Sequence, residues 1–192
     1  MNEIDKIRLG LFPVLAERST TGHIGRTALM KYLYFLQTVR GLPLGYNFSM
    51  YSYGPFDSDV LADLGVAQSL NIVEVSPVQF AGGYGYRIKP GTRAEFAKSN
   101  AQRFLDEHSN DIDWLVSVFG TLNSAELELT STIVYVDGEC VEAKKPASMH
   151  EVTARVHDIK SHFTVEQIRR HVEALLRRGV LKATVQSSAV SN

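Results

Sequence analysis

The chain has 192 residues, 44% of them hydrophobic and 21% charged, enough for one full core or two small packed lobes. That composition excludes a disordered chain, and no run approaches the roughly 18 apolar residues that span a bilayer. The formal net charge of −1 hides a modest asymmetry, acidic over residues 1–138 and basic over 139–192, which neither demands nor excludes a nucleic-acid partner.

Ile4, Ile7, Leu11 and Leu15 recur at helical spacing, with Pro13 placed to kink or split the segment. After a break at Thr20–His23, Gly25–Arg40 reads as a second helix. It is apolar at Leu29, Leu33, Leu36 and Val39, with Tyr32, Tyr34 and Phe35 on other faces, which predicts a central position. Phe48–Tyr53 alternates as a short strand, and Gly54-Pro55 turns the chain into a helix capped by Asp57 and striped by Val60, Leu61 and Leu64. Two β-prone runs, Ile72–Val75 and Tyr84–Ile88, predict a hairpin with a long tip through Ala81-Gly82-Gly83.

Helix, strand, helix, hairpin is the order of a winged helix-turn-helix lobe over residues 1–90, with the hairpin as the wing. Residues 91–182 read as a second, helical lobe. Its starts are marked by capping-box pairs at Thr92/Glu95, Asn123/Glu126, Ser148/Glu151 and Thr164/Gln167. Leu129–Val136 is β-branched but follows a cap with no turn signal, so a helix is expected there and a loop from Asp137-Gly138 to Pro146. Residues 183–192 have little to bury and are expected to be a disordered tail. The predicted fold class is α+β, mainly helical.

No catalytic constellation stands out. Gly82-Gly83-Tyr84-Gly85 has no Lys-Ser/Thr after it and no helix to supply a dipole, and no G-x-S-x-G turn occurs. His157 and His162 are five apart and do not make a zinc pair. Asp57/Asp59/Asp63, Asp111/Asp113 and Glu126/Glu128 lie in first helical turns, where carboxylates favour the helix dipole. No catalytic residue, metal ligand or cofactor is therefore assigned. An enzyme would need a site assembled from carboxylates distant in sequence.

Two surfaces merit attention. Arg26, Lys31, Tyr34, Tyr51, Tyr53, Tyr84 and Arg87 are either core and rim residues or an aromatic and basic face for a protein or nucleic acid. Of these, Tyr51 and Tyr53 are expected to pack together on the Leu29–Leu36 helix. Lys160, Arg170, Arg177 and Lys182 are either a solvated amphipathic face or a site for phosphates or an acidic partner. Cys140 reads as an incidental thiol in a polar loop; a lone cysteine closes no intrachain disulfide. With no signal-peptide layout in Met1–Asp5, a cytoplasmic location is expected.

Gly25-Arg26-x-x-Leu29-x-Lys31, then Tyr51-x-Tyr53-Gly54-Pro55-Phe56-Asp57 and a Leu-rich helix, resembles the YwgA-like proteins of bacteria and archaea. These look related to the Panacea domain of phage-associated proteins and SocA-type antitoxins. The likeness continues through Tyr84-x-Tyr86-Arg87-Ile88, Leu129-x-Ser131-Thr132-Ile133-x-Tyr135 and Ile159-Lys160-x-x-Phe163-Thr164-x-Glu166, covering about residues 22–181. It departs at Met30, where the family usually has Gln, and at Asp57, where it usually has Ser.

The resemblance implies a non-enzymatic antitoxin, adaptor or phage-defence role exercised through a protein partner such as a toxin or defence component. The alternative is a winged-helix transcriptional regulator bound to DNA, as a dimer on a palindromic site. A homo-oligomer is compatible with either.

Overall fold

The fold, a computed structural model, describes residues 2–80 and 83–185. It is mainly helical, with three small two-stranded sheets among the described residues. The chain divides into two compact units, Met1–Ser49 with Phe56–Ser124, and Met50–Pro55 with Ala125–Asn192.

In the first unit, α1 (Glu3–Arg18) starts at an Asn2/Asp5 capping box and is buried almost all round from Ile7 to Ala16. It runs unbroken through Pro13, whose lost N–H bond is outweighed by burial on every side. Helix α2 (Arg26–Thr38) buries every residue from Leu29 to Leu36, the central position that its apolar pattern predicts. Next come β1 (Ser49–Tyr51) and β2 (Gly54–Phe56), a short paired ribbon whose turn, Met50–Pro55, is counted with the second unit. Helix α3 (Ser58–Ser69) is capped by Asp57, whose carboxylate accepts the Asp59 N–H at 2.9 Å and the Asn47 N–H at 2.5 Å.

Strands β3 (Val73–Phe80) and β4 (Gly83–Pro90) pair antiparallel from Val73↔Pro90 to Phe80↔Gly83, so the hairpin ladder is longer than the sequence indicates. Ala81 and Gly82, part of the expected tip, lie outside the described residues. Ile24, just before α2, exchanges both backbone hydrogen bonds with Ile88 and extends the hairpin by one bridge on the β4 side.

The boundary expected at residue 90 falls instead after residue 124. Helices α4 (Ala94–Asn100), α5 (Gln102–Glu107) and α6 (Ser109–Phe119) pack on the N-terminal helices. Gly10 of α1 makes this close packing feasible: a Cβ there would stand 2.6 Å from the Ala101 Cβ and 3.1 Å from the Ala97 carbonyl oxygen. Phe35 of α2 stacks on Phe119 of α6 at 4.1 Å between ring centroids. The Thr92/Glu95 box does not form. The entry to α4 is held by backbone bonds, Gly91 N–H to Ile72 O and Arg93 N–H to Asn71 O, each 2.8 Å.

The second unit contains α7 (Ser124–Glu142), β5 (Ala147–Ser148), α8 (Met149–Ile159), α9 (Val165–Arg177) and β6 (Thr184–Val185). Helices α8 and α9 begin at the Ser148/Glu151 and Thr164/Gln167 boxes read from the sequence. Leu129–Val136 is helical as expected, but the loop expected from Asp137 to Pro146 is confined to residues 143–146, since α7 continues to Glu142. Asp137 is buried, and its carboxylate accepts the backbone N–H groups of Lys182, Ala183 and Thr184 at 2.7, 3.0 and 2.7 Å and the Thr184 hydroxyl at 2.6 Å. Part of the turn preference of an Asp-Gly pair comes from the carboxylate serving the local backbone, and here that carboxylate is engaged elsewhere.

The same contact corrects the tail. Residues 183–185 are ordered, with Thr184 buried and β6 paired parallel to β5, and residues 186–192 of the expected tail lie outside the described residues. Cys140 is also buried on α7 rather than looped out, and Arg155 Nη1 donates to its sulfur at 3.1 Å.

Candidate functional site

The β1–β2 turn is the clearest candidate. The strand ends at Tyr51, so the alternation that would place Tyr51 and Tyr53 on one face does not extend through Ser52 and Tyr53. Gly54 takes φ +84°, a left-handed conformation that glycine enters without a Cβ penalty, and Gly54 and Pro55 are both buried. The tip therefore stands out from a buried foot: Tyr51 is 66% exposed and Tyr53 74%. The expectation that this pair packs on the Leu29–Leu36 helix is overturned.

Beneath the tip lies a charged pair. Lys160, which follows α8, is only 2% exposed; its Nζ donates to the Ser52 carbonyl oxygen and, at 2.7 Å, to Oε1 of Glu128 on α7. Glu128 is 8% exposed, and His162 Nε2 stands 3.6 Å from the same carboxylate oxygen. Lys160 was expected on a second basic surface, but its ammonium turns inward because a carboxylate and a carbonyl meet it there.

That second surface is accordingly reduced. On α9, Arg170 is exposed, but its Nε donates to Glu166 at 2.8 Å, and Arg169 is bonded to Glu166 and Glu173. The Arg169 and Arg170 guanidiniums hold the Glu166 carboxyl below its usual range. Arg177 and Lys182 are exposed.

The first candidate face divides as well. Lys31 and Tyr34 are buried on α2, each 3% exposed, because that helix is enclosed on all sides; they are removed from any partner surface. Tyr34 sits edge-on against Phe48 at 5.2 Å between centroids. On the hairpin, Arg26 lies flat over the Tyr86 ring at 3.4 Å, Arg87 is half-buried, and Tyr84 is 82% exposed. The Nε atoms of Arg26 and Arg87 are buried with no hydrogen-bond partner among the described residues. Tyr51 and Tyr53 belong to one compact unit, and Arg26, Tyr84 and Arg87 to the other.

No protein-family model and no curated protein sequence matches this chain.

Among the described residues, no group of three His, Cys, Asp or Glu side chains is placed to hold a metal ion, and no helix is long and apolar enough to cross a membrane. A polar depression of about 320 Å³ is walled by α1 and the α4–α6 segment. Its cations are already engaged: Lys98 bonds both Glu17 oxygens at 2.9 Å, and Arg18 reaches Asp113 and Ser109.

Glu128 and the Ser52 carbonyl were missed as parts of a site. Glu128 reads locally as a helix-dipole carboxylate, and a backbone carbonyl has no sequence signal. The one available pointer was Lys160 within Ile159-Lys160-x-x-Phe163, a cation directly after an apolar helical stripe.

Proposed function

We propose that this protein is a non-enzymatic regulatory or interaction protein of the antitoxin or phage-defence kind, which acts by binding a partner protein through the Tyr51–Tyr53 turn. The carrying observation is the pair of strongly exposed tyrosines on a turn whose foot, Gly54 and Pro55, is buried and whose Ser52 carbonyl accepts a hydrogen bond. Tyrosine supplies a large amphipathic contact at low entropy cost, and a pre-held turn loses little freedom on binding. The resemblance to YwgA-like and Panacea proteins supports the same reading.

Affinity purification of the full chain from its native host, with the product of an adjacent gene as the expected partner, tests the proposal. Replacing both tyrosines, Tyr51→Ala with Tyr53→Ala, is expected to weaken capture at least tenfold, about 1.4 kcal/mol. Failure to recover a specific partner, or undiminished capture by the double variant, overturns it.

A second reading, a winged-helix DNA-binding regulator, is favoured by the Arg26–Tyr86 stack and the exposed Tyr84 on the β3–β4 hairpin. Against it, α3 carries no Lys or Arg to neutralise the phosphates a recognition helix must approach, and the carboxylates of Asp57 and Asp59 stand at its start. Mobility shifts of the protein's own upstream DNA across a salt series decide between the readings. Specific retardation that weakens steeply with salt favours DNA.

A further inference from the structure

The buried Lys160–Glu128 pair has a role that the stability of the fold does not require. Two charges removed from water are seldom a net gain, and apolar side chains of similar size usually hold a core as well or better. Leu or Met in these places would supply the packing. What only the lysine supplies is an N–H donor beneath the Ser52 carbonyl, at the centre of the tyrosine turn.

We infer that Lys160, oriented by Glu128, is the positioning residue of the Tyr51–Tyr53 recognition turn, fixing the direction in which the two rings are offered to a protein partner; this rests on the binding role given above.

The geometry supports this step by step. Glu128 Oε1 accepts from Lys160 Nζ at 2.7 Å, and because Glu128 is on the 19-residue helix α7, the ammonium is referenced to a rigid element. Nζ then donates to Ser52, 108 residues earlier in the chain. Ser52 lies between the two tyrosines, so a bond to its carbonyl fixes the peptide plane that leads into Tyr53. Gly54 and Pro55 anchor the other side by burial. Without the lysine bond, more of the ordering of the exposed residues 51–53 would fall to the partner at the moment of binding.

The distinguishing variant is Glu128→Leu with Lys160→Met, made in the full chain. A merely structural pair and a positioning pair differ in what this variant does. The expected result is an unchanged or raised thermal midpoint, with amide hydrogen exchange accelerated about tenfold or more in peptides covering residues 50–55 and unaltered elsewhere. Exchange that is unaltered at 50–55, or accelerated throughout the chain, overturns the inference.

A measurement on the unmodified chain guards against a variant that fails to fold. NMR of the wild type must show Overhauser contacts from the Lys160 ammonium protons to Ser52 and Tyr53, and their absence overturns the inference. Neither measurement uses a partner. A positive exchange result beside failed capture of the adjacent gene product thus refutes the binding role while the clamp itself stands. Capture with equal affinity by wild type and double variant refutes the positioning role alone.

Discussion

Tyr32 and Tyr34 on α2 have the same two-residue spacing as Tyr51 and Tyr53 on the β1–β2 turn. The first pair is 3% exposed at each ring, the second 66% and 74%. On α2 the spacing sends the two rings to nearly opposite sides, and both are buried because the helix is enclosed all round. At the turn, the strand ends before the second tyrosine and the backbone reverses through a left-handed glycine. Spacing alone is thus a poor guide to a tyrosine's role; what encloses the backbone decides it. Burial makes one pair a source of stability, and the other, exposed, is the pair we propose as a means of recognition, which sets up opposite outcomes for substitutions of the same kind.

The largest effects should come from the enclosed side. Tyr34→Ala removes a ring packed against Phe35 and Phe48 and is expected to cost about 3–5 kcal/mol in equilibrium denaturation. A loss below about 1 kcal/mol would mean that α2 is not the centre of its unit. Lys160→Met by itself should cost up to about 3–5 kcal/mol, because it takes the ammonium from buried Glu128 and leaves only His162, 3.6 Å away, beside the carboxylate. Contrast with the double replacement, which leaves no lone charge, makes this sharper than either variant alone.

Asp57→Ala removes the α3 cap, worth about 0.5–2 kcal/mol, from a residue that also holds the Asn47 N–H. The smallest stability effect is expected for Tyr53→Ala, within about 0.5 kcal/mol of wild type, alongside a clear loss of partner capture. A drop in stability matching that of Tyr34→Ala would erase the distinction between the two pairs.

The enclosed tyrosines also predict a pH dependence. Burial raises Tyr32 above its ordinary value of 10.0, and burial together with the adjacent Asp63 carboxylate raises Tyr46 further still. Tyr46 donates to Asp63 at 2.9 Å, and Arg8 lies 3.9 Å over its ring. The folded state holds both phenols protonated. Their contribution is therefore fully present below pH 10, the unfolded value, and is lost as pH rises beyond it toward the raised folded values. Denaturation midpoints should fall steeply on the alkaline side of pH 10, and Tyr46→Phe should flatten that slope. An unchanged slope in the variant would remove Tyr46 from the account.

What the sequence revealed was local. The Asp57 cap, the boxes that open α8 and α9, the central α2 and the β3–β4 hairpin each follow from residues within a few positions of one another. What it hid was distant. Glu128 meets Lys160 across 32 positions, Ser52 meets Lys160 across 108, and Asp137 meets the C-terminal backbone across 45 to 47. In each case a polar side chain that locally suits a surface, a helix start or a turn is taken into the interior by a partner with no local mark. The unit boundary was hidden for a related reason: it depends on Gly10 accepting Ala97 and Ala101, a fit that spacing along α1 does not disclose.

The Asp137 anchor bears on how the chain is made. Its four donors come from residues 182–184, so while the polypeptide is being synthesised the carboxylate waits, hydrated, for a segment translated a few seconds later at about 5–20 residues per second. During that interval α7 cannot bury this face without stranding a charge. Arrival of residues 182–184 thus lets α7 bury this face, and a product cut short before Thr184 would leave the ribosome with that helix face open to water, a ready mark for proteolytic disposal.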